Sequence, residues 1–125
     1  MTTLSRYDQD GLELAINNET GEVFASIRAV ARMTDKSAST IDRYVNGAFK
    51  GVAQMTLLSA EVNTPGGLQG VSLLNEDQIL ELVSKYKPTL LMQFAKVGLR
   101  LGLQQLVGYK VTSELPQQQA KGFKS

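Results

Sequence analysis

Apolar positions near the start of the chain recur at every second residue. Residues 12–16 (Leu-Glu-Leu-Ala-Ile) alternate between apolar and polar or small side chains, which predicts a β-strand with one buried face. Residues 17–21 have the composition of a turn, and residues 22–25 predict a returning strand. An N-terminal hairpin is therefore expected, preceded by a polar and flexible N-terminus over residues 1–10.

The pattern then changes to two short helices that are separated by a polar turn. Ser26 is a capping residue for a helix over residues 27–33, and Ser37 is one for the helix that follows. Asp35 occupies the turn, where the backbone requires a left-handed residue, and Asp tolerates that conformation better than most residues with a side chain. Ile41 and Val45, with Tyr44 beside them, form the predicted buried stripe of the second helix. Asn46 and Gly47 are predicted to end it.

A second hairpin and two further helices are predicted in the second half of the chain. Residues 52–62 are β-prone, residues 64–67 (Thr-Pro-Gly-Gly) suit a type II turn, and residues 68–74 predict the returning strand. Residues 75–78 (Asn-Glu-Asp-Gln) carry the signature of a helix start. Pro88 ends this helix and occupies the first position of the next one.

The last helix, predicted over residues 88–107, is apolar on most of its sides and is expected to be mostly buried. Gly98 and Gly102 each lower the stability of such a helix by roughly 1 kcal/mol relative to Ala. Their spacing suggests that another backbone passes close by, in the same chain or in a second subunit, and both are candidates for a dimer interface. Lys96 and Arg100 argue against a membrane span.

These elements predict a small α+β single domain with two β-hairpins and about four helices, including a helix-turn-helix. The domain is expected over residues 11–112, followed by a disordered polar tail over residues 113–125. The chain contains no cysteine and no histidine, which excludes thiolate nucleophiles, Ser-His and Cys-His catalysis and the usual zinc sites. We therefore expect a protein that is not an enzyme and needs no cofactor. The first residues lack the layout of a signal peptide, so a cytoplasmic location is expected.

The charges alternate in blocks along a chain whose formal net charge is only +1. Residues 28–50 carry five basic and two acidic residues, and residues 85–110 carry five basic and no acidic residues. The blocks 1–27 and 51–84 each have a net charge of −4. If the two basic blocks fold together, they form one basic face suited to nucleic acid; otherwise they are ordinary solvated surfaces.

A helix-turn-helix binds DNA by placing its second helix in the major groove. Ala38 and Ser39 lie at the exposed start of that helix, and Arg43, one turn further on, suits a bidentate contact to guanine. These three are the predicted base-reading residues, and such a contact contributes about 1–3 kcal/mol of discrimination. The residues predicted to bind DNA phosphates are Arg28, Arg32, Lys36, Ser37, Thr40, Lys50, Lys96 and Arg100. A homodimer is expected, because paired half-sites supply affinity that one recognition helix rarely has.

The same pattern also has an interpretation without DNA. Two short helices joined by a turn occur in many domains that never contact nucleic acid, and Ile41 and Val45 are core residues under either interpretation. In that case Arg43 pairs with a carboxylate on the surface instead of a base.

Six positions of the helix pair carry a family pattern: Val30, Ala31, Ser37, Thr40, Ile41 and Arg43. In these positions the segment resembles the helix-turn-helix of the lactose-repressor family. The resemblance implies the same three base-reading residues. Asp35 stands where that family has Gly, and Lys36 stands where it has an apolar residue that packs inward.

Short motifs in the second half carry another resemblance, at Gly66, Gly67, Gln69, Asn75, Glu76, Gly108 and Tyr109. With the order of hairpins and helices, they resemble phage antirepressor N-terminal domains of the Bro-N and KilA-N type, although the tryptophan usual in the last helix is absent. The resemblance implies a DNA-binding transcriptional regulator of phage or mobile-element type, with double-stranded DNA as its partner. It also implies the alternative of an antirepressor that inactivates another regulator through protein contact, without binding DNA.

Overall fold

The computed structural model describes residues 4–109, which form five strands and five helices. The strands are β1 (Leu4–Gln9), β2 (Leu12–Asn17), β3 (Val23–Phe24), β4 (Leu58–Thr64) and β5 (Gly67–Leu73). The helices are α1 (Ile27–Thr34), α2 (Ala38–Val45), α3 (Glu76–Tyr86), α4 (Pro88–Val97) and α5 (Leu99–Leu106). The predicted α+β class with two hairpins is confirmed.

The strands belong to one mixed sheet in the order β3-β2-β1-β4-β5. Neighbouring strands are antiparallel except β1 and β4, which run parallel and join the two predicted hairpins. Directly after the edge strands β3 and β5, Ala25 and Leu74 exchange two backbone hydrogen bonds of 3.0 and 2.7 Å. Because this bridge links the two edges, the sheet curls into a small, partly closed barrel.

The strands bury side chains on both faces, because alternate residues point into the barrel and towards the helices. The barrel interior contains Leu4, Ala15, Phe24, Val62 and Leu73. The helix-facing side adds Leu14, Ile16, Val23 and Ala25 to the main core. The alternation predicted for residues 12–16 is therefore confirmed, with both of its faces in use.

The prediction of a flexible N-terminus over residues 1–10 is wrong for residues 4–9. These residues form β1, which lies in the middle of the sheet and pairs along its whole length with β2. Cross-strand polar pairs accommodate its polar side chains, since Arg6 donates to Glu13 at 3.4 Å. Polar composition was thus a poor guide to a strand whose backbone is paired on both sides.

The second hairpin is confirmed, but its turn differs from the prediction. A type II turn requires a positive φ at Gly66, whereas the structure has the positive φ, 107°, at Gly67. The first strand of this hairpin also starts later than predicted. Residues 52–57 are irregular, and β4 begins at Leu58.

The start of α3 is confirmed in atomic detail. The side chain of Asn75 accepts from the backbone N–H of Gln78, and the side chain of Gln78 accepts from the backbone N–H of Asn75, both at 2.9 Å. This reciprocal pair is a capping box. Pro88 occupies the first turn of α4, also as predicted.

The prediction of a single helix over residues 88–107 is wrong, because the helix is interrupted at Gly98. Its φ of 91° and ψ of 153° are accessible to glycine and strained for other residues. Beyond the break, a Cβ at Gly102 would lie 2.3 Å from Cδ1 of Phe94. The close neighbour of Gly102 is therefore a side-chain ring of the same chain, and not the passing backbone that the glycine spacing predicted. Because Gly102 is buried in this contact, its assignment to a dimer interface is corrected, whereas the exposed Gly98 stays a candidate.

None of the helices within residues 4–109 is long and apolar enough to cross a membrane. The polar tail predicted over residues 113–125 lies outside the described residues.

Candidate nucleic-acid interface

The turn between α1 and α2 has the geometry that the helix-turn-helix requires. Asp35 adopts the left-handed conformation, with φ 59° and ψ 34°, as predicted. The backbone N–H of Lys36 then donates to Ala31 at 2.9 Å, which closes the end of α1. Serine hydroxyls cap the two helices. Ser26 accepts from the backbone N–H of Ala29 at 3.0 Å, and Ser37 accepts from the backbone N–H of Thr40 at 3.1 Å.

The buried side of α2 holds the helix against the domain. Ile41, Tyr44 and Val45 are each at most 6% exposed and belong to the main core. The opposite side is solvent-facing and carries Ala38, Ser39, Asp42, Arg43 and Asn46. The three predicted base-reading residues therefore lie on one exposed surface, which we call the reading face, defined by these five residues.

Asp42 and Asn46 were missed in the sequence analysis, although their spacing from Ser39 by three and seven residues puts them on the same helix face. Asp42 can accept from cytosine, whereas the side-chain N–H of Asn46 already donates to the backbone oxygen of Asp42 at 2.9 Å, which leaves its amide only partly available to adenine. Asp42 also brings a negative charge to the reading face.

The guanidinium group of Arg43 lies against an aromatic ring. Its guanidinium carbon lies 4.8 Å from the ring centre of Phe49, and the ring of Phe49 in turn lies 6.2 Å from that of Tyr44. Stacking of this kind occupies the flat face of the guanidinium and leaves its N–H edges free. No carboxylate in the described part of the chain forms a salt bridge with Arg43, so the pairing expected without DNA is not observed there.

The hydroxyls of Ser37 and Thr40 lie 2.9 Å apart at the start of α2. Either can donate to the other, so one of the two hydroxyl protons is committed and the other is free for a phosphate. Ser37 is exposed and Thr40 is half-buried. The two predicted phosphate contacts therefore supply a single side-chain donor between them.

Arg28 and Arg32 line one flank of α2. They border a shallow depression together with Ser26, Ala38 and the β1–β2 hairpin. Arg32 also donates to the backbone oxygen of Asp10 at 2.7 Å, which fixes its guanidinium beside the hairpin. Both arginines are exposed next to the start of the reading face, as the phosphate prediction requires.

The end of α3 carries further basic residues close to the turn. The Nζ atoms of Lys36 and Lys85 both lie 5.8 Å from the ring centre of Tyr86, and the Tyr86 ring lies 5.9 Å from that of Tyr44 in an edge-on arrangement. Lys87 forms a salt bridge with Asp35. The two basic sequence blocks thus meet at this point, as one of the two interpretations of the charge pattern expected.

These contacts shift the pKa values of two side chains. The hydrogen bond and the charge of Lys87 hold the pKa of Asp35 below its ordinary value. Burial, together with the hydrogen bond of 2.8 Å that the hydroxyl donates to Glu81, raises the pKa of Tyr44 to about 12. Asp35 is therefore ionised and Tyr44 neutral at physiological pH.

Two other predicted phosphate contacts lie away from α2. Arg100 donates to both carboxylate oxygens of Glu76, at 2.9 and 3.2 Å, and to the backbone oxygen of Thr20 at 3.2 Å. The hydrogen bond to Glu76 raises the pKa of Arg100 above its ordinary value. Because its guanidinium is committed within the chain, Arg100 is corrected from a phosphate contact to a structural residue. Lys96 is exposed on α4 and Lys50 is exposed in the turn after α2.

Three of the motif residues that carry the antirepressor resemblance, Glu76, Gly108 and Tyr109, have structural roles inside the domain. Glu76 accepts the backbone N–H of Val23 at 2.9 Å as well as the Arg100 guanidinium, so it ties β3, α3 and α5 together. Gly108 has a positive φ of 70°, and Tyr109 packs edge-on against Tyr7 with ring centres 5.0 Å apart. These contacts give Glu76, Gly108 and Tyr109 a structural role within the domain.

Within residues 4–109, no three acidic residues converge as a metal site would require. Comparison of the chain with protein-family models, with curated proteins and with solved structures found no match. The functional assignment therefore depends on the geometry of the reading face and on the basic residues near α2.

Proposed function

We propose that the protein is a DNA-binding transcriptional regulator that reads double-stranded DNA through α2. The observation that carries the proposal is the reading face: Ser39 and Arg43 are exposed on one side of a capped helix, and Arg43 is stacked on Phe49 with no acidic partner among the described residues. A helix presented in this way suits the major groove, and the exposed cations near its start suit DNA phosphates.

The regulator is of phage or mobile-element type, as the Bro-N and KilA-N resemblance implies, and acts in the cytoplasm. It binds as a homodimer, because two recognition helices on paired half-sites supply the affinity that one α2 lacks. Gly98, exposed at the break between α4 and α5, is the remaining candidate for the interface.

A second candidate is an antirepressor that binds another regulator. Asp42 on the reading face favours it, as do the exposed acids Asp8, Asp10 and Glu13 of the β1–β2 hairpin beside α1. Acidic groups next to a binding helix repel phosphates and suit a basic protein surface. In that case α2 contacts a protein, and the binding is independent of DNA.

The first test is fluorescence anisotropy with random duplex DNA over a salt series. We expect binding at low salt whose affinity falls steeply with salt, since displacement of counterions governs such binding. A preferred site is then selected from a random library. On that site, Arg43→Lys keeps the charge and loses the bidentate geometry, so discrimination at one base pair should fall by about 10-fold or more.

Arg6→Lys is the matched control, because it makes the same charge-preserving change at an arginine outside α2 that is paired with Asp8 and Glu13. It should leave both affinity and site preference unchanged. Absence of binding by the wild-type protein at low salt would overturn the DNA assignment and put the antirepressor first.

A further inference from the structure

The end of α3 is an unassigned basic surface next to the reading face. Its cations come from two distant parts of the sequence: Lys36 precedes α2, and Lys85 belongs to the last turn of α3. Both Nζ atoms lie 5.8 Å from the ring centre of Tyr86, so they are at most twice that distance apart. Both lysines are exposed, and neither forms a salt bridge with a described residue.

The position of this pair is fixed by three contacts. Tyr86 packs edge-on against Tyr44 of α2, the hydroxyl of Tyr44 donates to Glu81 of α3, and Lys87 pairs with Asp35 in the turn. The end of α3 is therefore held against the helix-turn-helix.

The pair lies beside the start of α2, because Lys36 directly precedes Ser37, the residue that caps this helix. Arg28 and Arg32 border the depression that also contains Ala38, the first residue of the same helix. Tyr44, which contacts Tyr86, lies on the buried side of α2 and not beside the reading face. Two cationic groups are therefore gathered near the start of α2.

We propose that Lys85 and Lys36 together bind the DNA phosphate backbone beside the start of α2. This proposal rests on the proposed function, because it assumes that α2 lies in the groove. It adds α3 to the elements that contact DNA and gives Tyr86 a positioning role, since its ring orients both lysines towards the same backbone.

The test measures the slope of log K against log salt for random duplex DNA. Each phosphate contact contributes about 0.9 to this slope, so Lys85→Ala should reduce its magnitude by about 0.9 and the double variant with Lys36→Ala by about twice as much. Lys85→Arg keeps the charge and should preserve the slope. Arg100→Ala removes one positive charge that is paired with Glu76 away from α2, and it controls for long-range effects of net charge.

Lys85 is exposed and unpaired among the described residues, so its replacement should leave the thermal unfolding transition unchanged. A wild-type slope in Lys85→Ala would overturn the proposal while leaving the proposed function standing. An equal loss in Lys85→Ala and Arg100→Ala would also overturn it, because the effect would then not be local. Absence of DNA binding by the wild-type protein would overturn both.

Discussion

Lys87 and Asp35 form a salt bridge that joins the end of α3 to the turn of the helix-turn-helix. Asp35 also supplies the left-handed residue on which that turn depends. An aspartate at this position therefore keeps the backbone conformation for which the lactose-repressor pattern has glycine. Its side chain also makes a contact to a second element. Glycine would supply the conformation alone.

Replacement of Asp35 separates these two roles. Asparagine adopts the left-handed conformation and glycine does so without strain, so Asp35→Asn and Asp35→Gly should remove only the ion pair. Asp35→Ala removes the ion pair and strains the backbone, and should be the least stable of the three. Urea unfolding of the variants measures the order of their stabilities. An Asp35→Ala protein as stable as Asp35→Gly would contradict the role of the turn.

The ion pair also predicts a dependence on pH. Because Lys87 lowers the pKa of Asp35 in the folded state, the stabilisation is present above the ordinary value of 3.8 and is lost as the pH falls through the lower folded value. The stability difference between wild type and Asp35→Asn should therefore be constant near neutral pH and shrink below about pH 3.8. Unfolding curves between pH 2 and pH 7 measure it, and a difference that persists at the acid end would argue against the ion pair as its cause.

Gly102 and Phe94 provide a test of how α5 packs on α4. A Cβ at Gly102 would lie 2.3 Å from the ring of Phe94, and both residues are buried. Gly102→Ala should destabilise the protein by about 1–3 kcal/mol, the usual cost of overpacking a core. In the Phe94→Leu background the clash is relieved, so the same substitution should cost less. Additive effects in this double-mutant cycle would contradict the contact.

Local signals predicted the helix-turn-helix well. Ser26, Ser37 and Asn75 cap their helices, and Asp35 adopts the predicted left-handed conformation. Each of these features depends on hydrogen bonds between residues a few positions apart, which a short sequence window contains. The exposed face of α2 follows from the same local periodicity.

Contacts between distant segments were not predictable in the same way. The barrel closes through two backbone hydrogen bonds between Ala25 and Leu74, which no side-chain pattern reveals. The break at Gly98 was hidden because the apolar stripes continue across it. Lys85 was recognised only as a helix-end cation, since its neighbour Lys36 lies far away in the sequence.

Arg100 and Lys96 should behave differently, although the sequence grouped them as phosphate contacts. Arg100→Ala leaves the carboxylate of Glu76, whose side chain is only 16% exposed, without its cation, and should lower the free energy of unfolding by about 1 kcal/mol after solvent screening. It should leave the salt dependence of DNA binding unchanged. Lys96→Ala should leave stability unchanged, and it should reduce the salt slope by about 0.9 if Lys96 contacts a phosphate as predicted. Urea unfolding and anisotropy titrations on the two single variants separate these effects, and a reduced slope with unchanged stability in Arg100→Ala would restore its assignment to DNA.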